Sequence, residues 1–144
     1  MILVVLDTNV LASAVVGLPR EASVPAEVLR RWHDGHFRLT VSSPILAELE
    51  RTLGRPYFRH RLSPAQVHRL IELLRSAATN TVLTTSVIGM ATHPEDDAVL
   101  STMLSARADV LVTGDRRLRE RATAAGMLAL TPREFLDHLD RLAT

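Results

Sequence analysis

The residues Ile2-Leu3-Val4-Val5-Leu6 run without alternation straight into Asp7-Thr8-Asn9. A short unbroken apolar run of this kind reads as a strand buried on both faces, which in turn calls for a parallel sheet covered by helices on either side. Such a strand hands Asp7 to its carboxyl end, the edge where open α/β sheets bind ligands. The competing reading is that Asp7 or Thr8 only caps the helix that follows.

The remainder alternates helical and extended patterns. Residues 10–16 suit a short helix closed by Gly17. Residues 25–34 suit a second, with Ser23 as cap, Gly35 at the end and Val28, Leu29 and Trp32 as its apolar stripe. Residues 37–41 alternate as a strand. Ser42-Ser43-Pro44 then opens a helix reaching about Leu53, buried through Ile45, Leu46, Leu49 and Leu53. Residues 55–61 read as a basic loop with two rings, Tyr57 and Phe58.

Ser63-Pro64-Ala65-Gln66 is a capping box for a helix carrying Val67, Leu70, Ile71 and Leu74. A third strand is expected at 81–84. Thr92-His93-Pro94-Glu95 is a second capping box, putting Asp96 and Asp97 in the first turn of a helix with Val99, Leu100, Met103 and Leu104 on its apolar face. A fourth strand at 110–113 stops at Gly114-Asp115. A basic helix at 116–125 ends at Gly126, a fifth strand follows at 127–130, and Thr131-Pro132-Arg133-Glu134 caps a last helix holding Phe135, Leu136 and Leu139. The pattern predicts one α/β domain over residues 1–144: three layers, α/β/α, around a mostly parallel sheet of about five strands.

Composition excludes several classes. There is no cysteine, hence no disulfide, thiolate chemistry or cysteine-bearing zinc site, which fits a reducing compartment. No segment stays apolar long enough for a signal peptide or a spanning helix, so a soluble, cytoplasmic protein is expected. At 3% aromatic residues, stacking platforms do not dominate any nucleic-acid site. A net charge of +1 gives no global basic field. All 17 basic side chains are arginine, so each can contact phosphate or carboxylate in bidentate fashion.

Four acids fall near one sheet edge: Asp7 after strand one, an acid of the helix after strand two, Asp96 or Asp97 after strand three, and Asp115 after strand four. In the second of these helices Glu48 and Glu50 lie on opposite borders of the apolar stripe, and periodicity does not choose between them. Each acid alone has a plain structural role as a cap, a dipole partner or a solvated flank. Converging carboxylates repel, and a hard divalent ion removes that cost. Oxygen-only ligands suit magnesium or manganese rather than zinc. Acid-lined sites of this type act on phosphates and need no protein nucleophile. Ser42, Ser43 and Ser86 have no base beside them.

Asp7-Thr8-Asn9-Val10, Ser43-Pro44-Ile45-Leu46-Ala47-Glu48-Leu49, Pro94-Glu95-Asp96-Asp97 and Val112-Thr113-Gly114-Asp115 occur in that order. The set resembles the PIN-domain nucleases, particularly the VapC-like subgroup described as toxins of toxin–antitoxin pairs, over almost the whole chain. The resemblance implies a ribonuclease with Asp7, Glu48, Asp97 and Asp115 around Mg2+ or Mn2+. It places Glu48 ahead of Glu50, and Asp97 ahead of Asp96, although on the helical wheel Asp96 lies closer to the apolar face. Asn9 and Thr113 match positions whose role is to orient the carboxylates by hydrogen bonds, and Asp96 is grouped with them. His93 stands where relatives often carry aspartate. The resemblance further implies a homodimer, for which the helix around Val67 and Leu74 is a candidate surface, and a cognate antitoxin that blocks the cleft.

RNA needs cations beyond the metal. Arg55, Arg59 and Arg61 in one loop, and Arg116 and Arg117 beside Asp115, are the candidates for backbone phosphate. Arg119 and Arg121 read as a solvated face. Tyr57 and Phe58 read as packing rings rather than base-stacking ones, and His33 and His36 as surface histidines. A signalling receiver, also α/β with acids at the sheet edge, needs a lysine that this chain lacks. A noncatalytic binding module and a DNA-directed nuclease are the alternatives to the ribonuclease.

Overall fold

The structure is a computed structural model that describes residues 1–85 and 94–144; the side chains of residues 94–96 lie outside that description. The elements run β1 (Leu3–Leu6), α1 (Thr8–Gly17), α2 (Val24–His33), β2 (Arg38–Val41), α3 (Ser43–Leu53), α4 (Pro56–Arg59), α5 (Pro64–Ala77), β3 (Thr79–Asn80), α6 (Pro94–Ala106), β4 (Val110–Val112), α7 (Arg116–Ala124), β5 (Ala129–Leu130) and α8 (Pro132–Leu142). The strands form one sheet in the order β3-β2-β1-β4-β5, and every pairing is parallel.

β1 lies at the centre, with Leu3, Val4, Val5 and Leu6 all buried, as an apolar run with no alternation requires. Its register is Val4 opposite Val110 and Leu6 opposite Val112 on one side, and Leu3 opposite Arg38 on the other. The chain steps from β1 outward to β2 and β3, then returns past β1 to β4 and β5. Around the sheet α1 packs on α2 and α3, α3 on α5 and α6, α2 on α8, and α7 on β5. The core is aliphatic, with Phe37 and Phe135 meeting edge-to-face at 5.0 Å as its two fully buried rings.

Helix ends follow the sequence closely. Ser23 Oγ accepts the Ala26 N–H, and the capping boxes Ser63/Gln66 and Thr131/Glu134 are complete in both directions. Gly126, just past α7, has φ of +82°, where a side chain is strained. At Gly17 a Cβ would collide with the Ser23 side chain, so the tight α1–α2 corner needs a residue without one.

Two expected elements differ. The third strand is Thr79–Asn80, not 81–84. It pairs with β2 through Thr40–Thr79 and Val41–Asn80, and β2 ends at Val41. Beyond Thr81, whose N–H still reaches the Val41 carbonyl at 2.8 Å, β2 offers no further backbone partner among the described residues. The chain instead turns onto α6, where Ser105 Oγ accepts the N–H of Thr84 and Thr85. The expected basic loop contains a helical turn, α4, started by Pro56. The expected capping box from Thr92 to Glu95 lies outside the described residues. Among the described residues no helix is long and apolar enough to cross a membrane.

Candidate active site

Two adjacent central strands build the middle of the site. The ladder between β1 and β4 continues one step past both strands, with the Asp7 N–H donating to the Val112 carbonyl at 3.0 Å. Both chains then leave the sheet into helices. Asp7 occupies the cap position of α1 with extended backbone, yet its carboxylate makes no cap hydrogen bond. Instead Asp7 Oδ2 accepts the Thr113 hydroxyl at 2.7 Å. Asp7 is 5% exposed and Thr113 is fully buried. The capping alternative therefore does not describe this carboxylate, which is turned across to the neighbouring strand.

Thr113 is fixed on every side. Its Oγ1 donates to Asp7 and accepts the Asp115 N–H at 3.1 Å. Its own N–H donates to the Leu130 carbonyl, and its carbonyl accepts from Arg119 Nη1 at 3.1 Å. One hydroxyl thus links Asp7 to the backbone of Asp115. Asp115 is half-buried and caps α7, its Oδ1 accepting the N–H groups of Arg117 at 2.9 Å and Leu118 at 3.2 Å. The cap uses one carboxylate oxygen of the two.

Glu48 approaches from α3 with its side chain 14% exposed. Its Oε2 accepts from Arg51 Nη2 at 2.6 Å and Nε at 3.1 Å. Its Oε1 accepts from Thr52 Oγ1 at 3.3 Å and lies 3.9 Å from Arg55 Nη2. Glu50 sits on the other border of the helix, half exposed, and pairs with Arg75 of α5 at 3.7 Å. Asp97 is half-buried in the first turn of α6. A buried hydrogen bond of 2.8 Å between Ser42 Oγ and Thr102 Oγ1 fixes Thr102 level with the end of β2. α6 runs back toward the start of β4, so Asp97 lies about 7 Å further out along its axis, beyond the carboxyl edge.

The structure thus brings Asp7, Thr113 and Asp115 into one hydrogen-bonded group and puts Glu48 and Asp97 on elements that begin at the same edge. Among the described residues no three acids or histidines converge as a ready metal cluster. The Glu48 carboxylate is held by guanidinium groups. The donor set itself, carboxylate and hydroxyl oxygen alone, has the chemistry of a hard divalent cation site.

The other expected residues fall as follows. Asn9 is exposed in the first turn of α1. The Asp96 side chain lies outside the described residues. Arg116 is exposed and pairs with Glu120, while Arg117 is exposed beside Asp115. The arginines of α4 and its flanks separate: Arg55 turns to Glu48, Arg59 lines a groove between α3 and α5, and Arg61 lies over Tyr57. His33 is largely exposed beside Asp34. Two functional candidates escape sequence reasoning. Arg119, expected in solvent, reaches the Thr113 carbonyl. Arg51 is the closest cation to Glu48, and its three-residue spacing on one helix was the available signal.

A family model described as the PIN domain matches residues 3–117. No curated protein sequence matches the chain. Among solved structures, a domain of a functionally unknown protein from Methanocaldococcus jannaschii superposes with a TM-score of 0.58 at 17% identity, covering 91% of each chain. VapBC2 from Rickettsia felis, bound to a DNA fragment from its promoter, also gives 0.58, at 14% identity over 88% of this chain and 96% of that one. At these identities the two structures speak for the fold.

Proposed function

This chain belongs to the PIN-domain family, and we propose that within this family of nucleases it is a metal-dependent endoribonuclease acting in the cytoplasm as the toxin of a type II toxin–antitoxin pair. The observation that carries the reading is the Asp7 carboxylate: buried, refused to the helix it precedes, and oriented by Thr113 at the end of the central strand pair. The VapBC2 likeness supports the toxin assignment at the level of fold.

In this reading Asp7, Glu48, Asp97 and Asp115 hold Mg2+ or Mn2+. When bound, such an ion supplies charge neutralisation at the phosphoryl group and activation of water at neutral pH. The protein does the rest. Thr113 holds Asp7 in one rotamer, and the α7 cap holds Asp115, so both carboxylates are placed before any ligand arrives. Asn9, exposed in the first turn of α1, is assigned to orient the same group, as is Asp96, whose side chain lies outside the described residues. Arg116 and Arg117, exposed beside Asp115, take backbone phosphate, as do Arg55 and Arg59. The partners are an RNA substrate, a cognate antitoxin that covers the cleft, and a second copy of the chain, joined in a homodimer.

The test is cleavage of single-stranded RNA by purified protein with and without Mg2+ or Mn2+. Wild type should cleave only with the ion, and Asp7→Asn should lose at least a hundredfold in rate. Equal cleavage by the variant rejects the assignment, and cleavage of DNA but not RNA would redirect it.

A further inference from the structure

Of the five aromatic side chains in this sequence, Phe37 and Phe135 pair in the core, and Trp32 and Phe58 pack partly buried against it. Tyr57 alone is largely exposed, at 53%. It is not loose. Phe58 meets its ring edge-to-face at 5.0 Å, and the Arg61 guanidinium lies over the ring face, its central carbon 3.6 Å from the centroid. Arg61 Nη1 also donates to the Tyr57 carbonyl at 2.7 Å, which fixes the guanidinium in place. The result is a rigid stack of a phenol ring and a planar cation, standing on α4.

Its position gives this stack a use. Arg55, two residues before Tyr57, lies 3.9 Å from Glu48. Arg55 thus links the start of α4 to Glu48, and the ring stands two residues further along the chain from that cation. Unpaired bases stack on aromatic rings and on guanidinium planes, whereas bases in a duplex are already stacked. One face of the tyrosine ring is already held by a cation, and the ring stays more than half exposed.

We propose that Tyr57 and Arg61 form a base-stacking subsite that takes one unpaired nucleobase of a bound single-stranded RNA, with Arg55 holding a phosphate on the Glu48 side of that base. The inference rests on the ribonuclease reading and adds to it a preference for unpaired over duplex RNA. Phe58 braces the tyrosine, and Arg59, which faces the α3–α5 groove instead, has no part in it.

The test separates binding from cleavage. Full-length Asp7→Asn protein is titrated with a short fluorescein-labelled oligoadenylate, its abasic counterpart and the corresponding RNA duplex, read by fluorescence anisotropy. Adding Tyr57→Ala should weaken oligoadenylate binding by roughly tenfold, a typical effect of removing one stacked ring. It should leave abasic binding unchanged, and Tyr57→Phe should behave like the parent. Arg61→Met should weaken oligoadenylate more than abasic RNA, and thermal unfolding should show both exposed-site variants folded. If Tyr57→Ala binds oligoadenylate as the parent does, the subsite is rejected while the RNA reading stands. If the parent binds none of the three RNAs, both fall together.

Discussion

Glu48 is a carboxylate already engaged by cations, so the proposal that it holds a metal ion makes a definite demand on them. Its two oxygens are engaged by Arg51 at 2.6 Å, by Thr52, and at longer range by Arg55. A divalent ion at Glu48 must displace Arg51, whose own side chain is 67% exposed. Exposed ion pairs are weak, so the competition is modest. Arg51→Gln should therefore tighten Mn2+ binding by roughly twofold to fivefold in an electron paramagnetic resonance titration. Unchanged or weaker binding would mean that Glu48 is not a ligand and serves only to fix the end of α3. The sequence shows Glu48 and Glu50 as equals by periodicity, because both border the same apolar stripe. The structure separates them through their neighbours: Glu50 faces Arg75 of α5, a contact between residues 25 apart that no local pattern contains. Thr113 is the same lesson in reverse. Its hydroxyl is plain in the sequence but the acceptor is not, and only the pairing of β4 with β1 brings Thr113 to Asp7.

At the scale of elements, the helices that announce themselves in sequence are those closed by local hydrogen bonds. The Thr131/Glu134 box is one: Thr131 Oγ1 accepts the Glu134 N–H, and Glu134 Oε1 accepts the Thr131 N–H at 2.9 Å. These bonds, from the Thr131 backbone first and its side chain second, hold the Glu134 carboxyl below the usual carboxylate range. A group whose folded pKa is lowered adds stability that is complete above its unfolded pKa and lost as the pH falls through the folded one. The box should therefore weaken in acid, below the normal glutamate range, and Glu134→Ala should remove that part of the pH dependence. The check is the melting temperature against pH for both proteins; parallel curves would contradict it. β3 is the opposite case. Thr81-Val82-Leu83-Thr84 has strong strand propensity, yet β2 ends at Val41 and offers no ladder beyond the Thr81 N–H, so the strand forms earlier, at Thr79–Asn80. Local preference proposes a strand, and the length of its neighbour decides where it lies.

For the molecule as a whole, the parallel sheet is what turns residues scattered over more than 100 positions into neighbours. Every strand points the same way, so every strand-to-helix turn opens at one edge, and acids at those turns share it. This much is legible from the opening apolar run and the alternation of elements. The side-chain arrangement at that edge is not, because it depends on rotamers set by pairs such as Asp7–Thr113 and Glu48–Arg51. The most direct test is a calorimetric titration of Mn2+ into wild type, Asp7→Asn and Glu50→Gln at neutral pH. Wild type and Glu50→Gln should bind saturably with equal affinity, and Asp7→Asn should bind at least tenfold more weakly. Equal binding by all three proteins, or none by wild type, would contradict a metal centre built on Asp7.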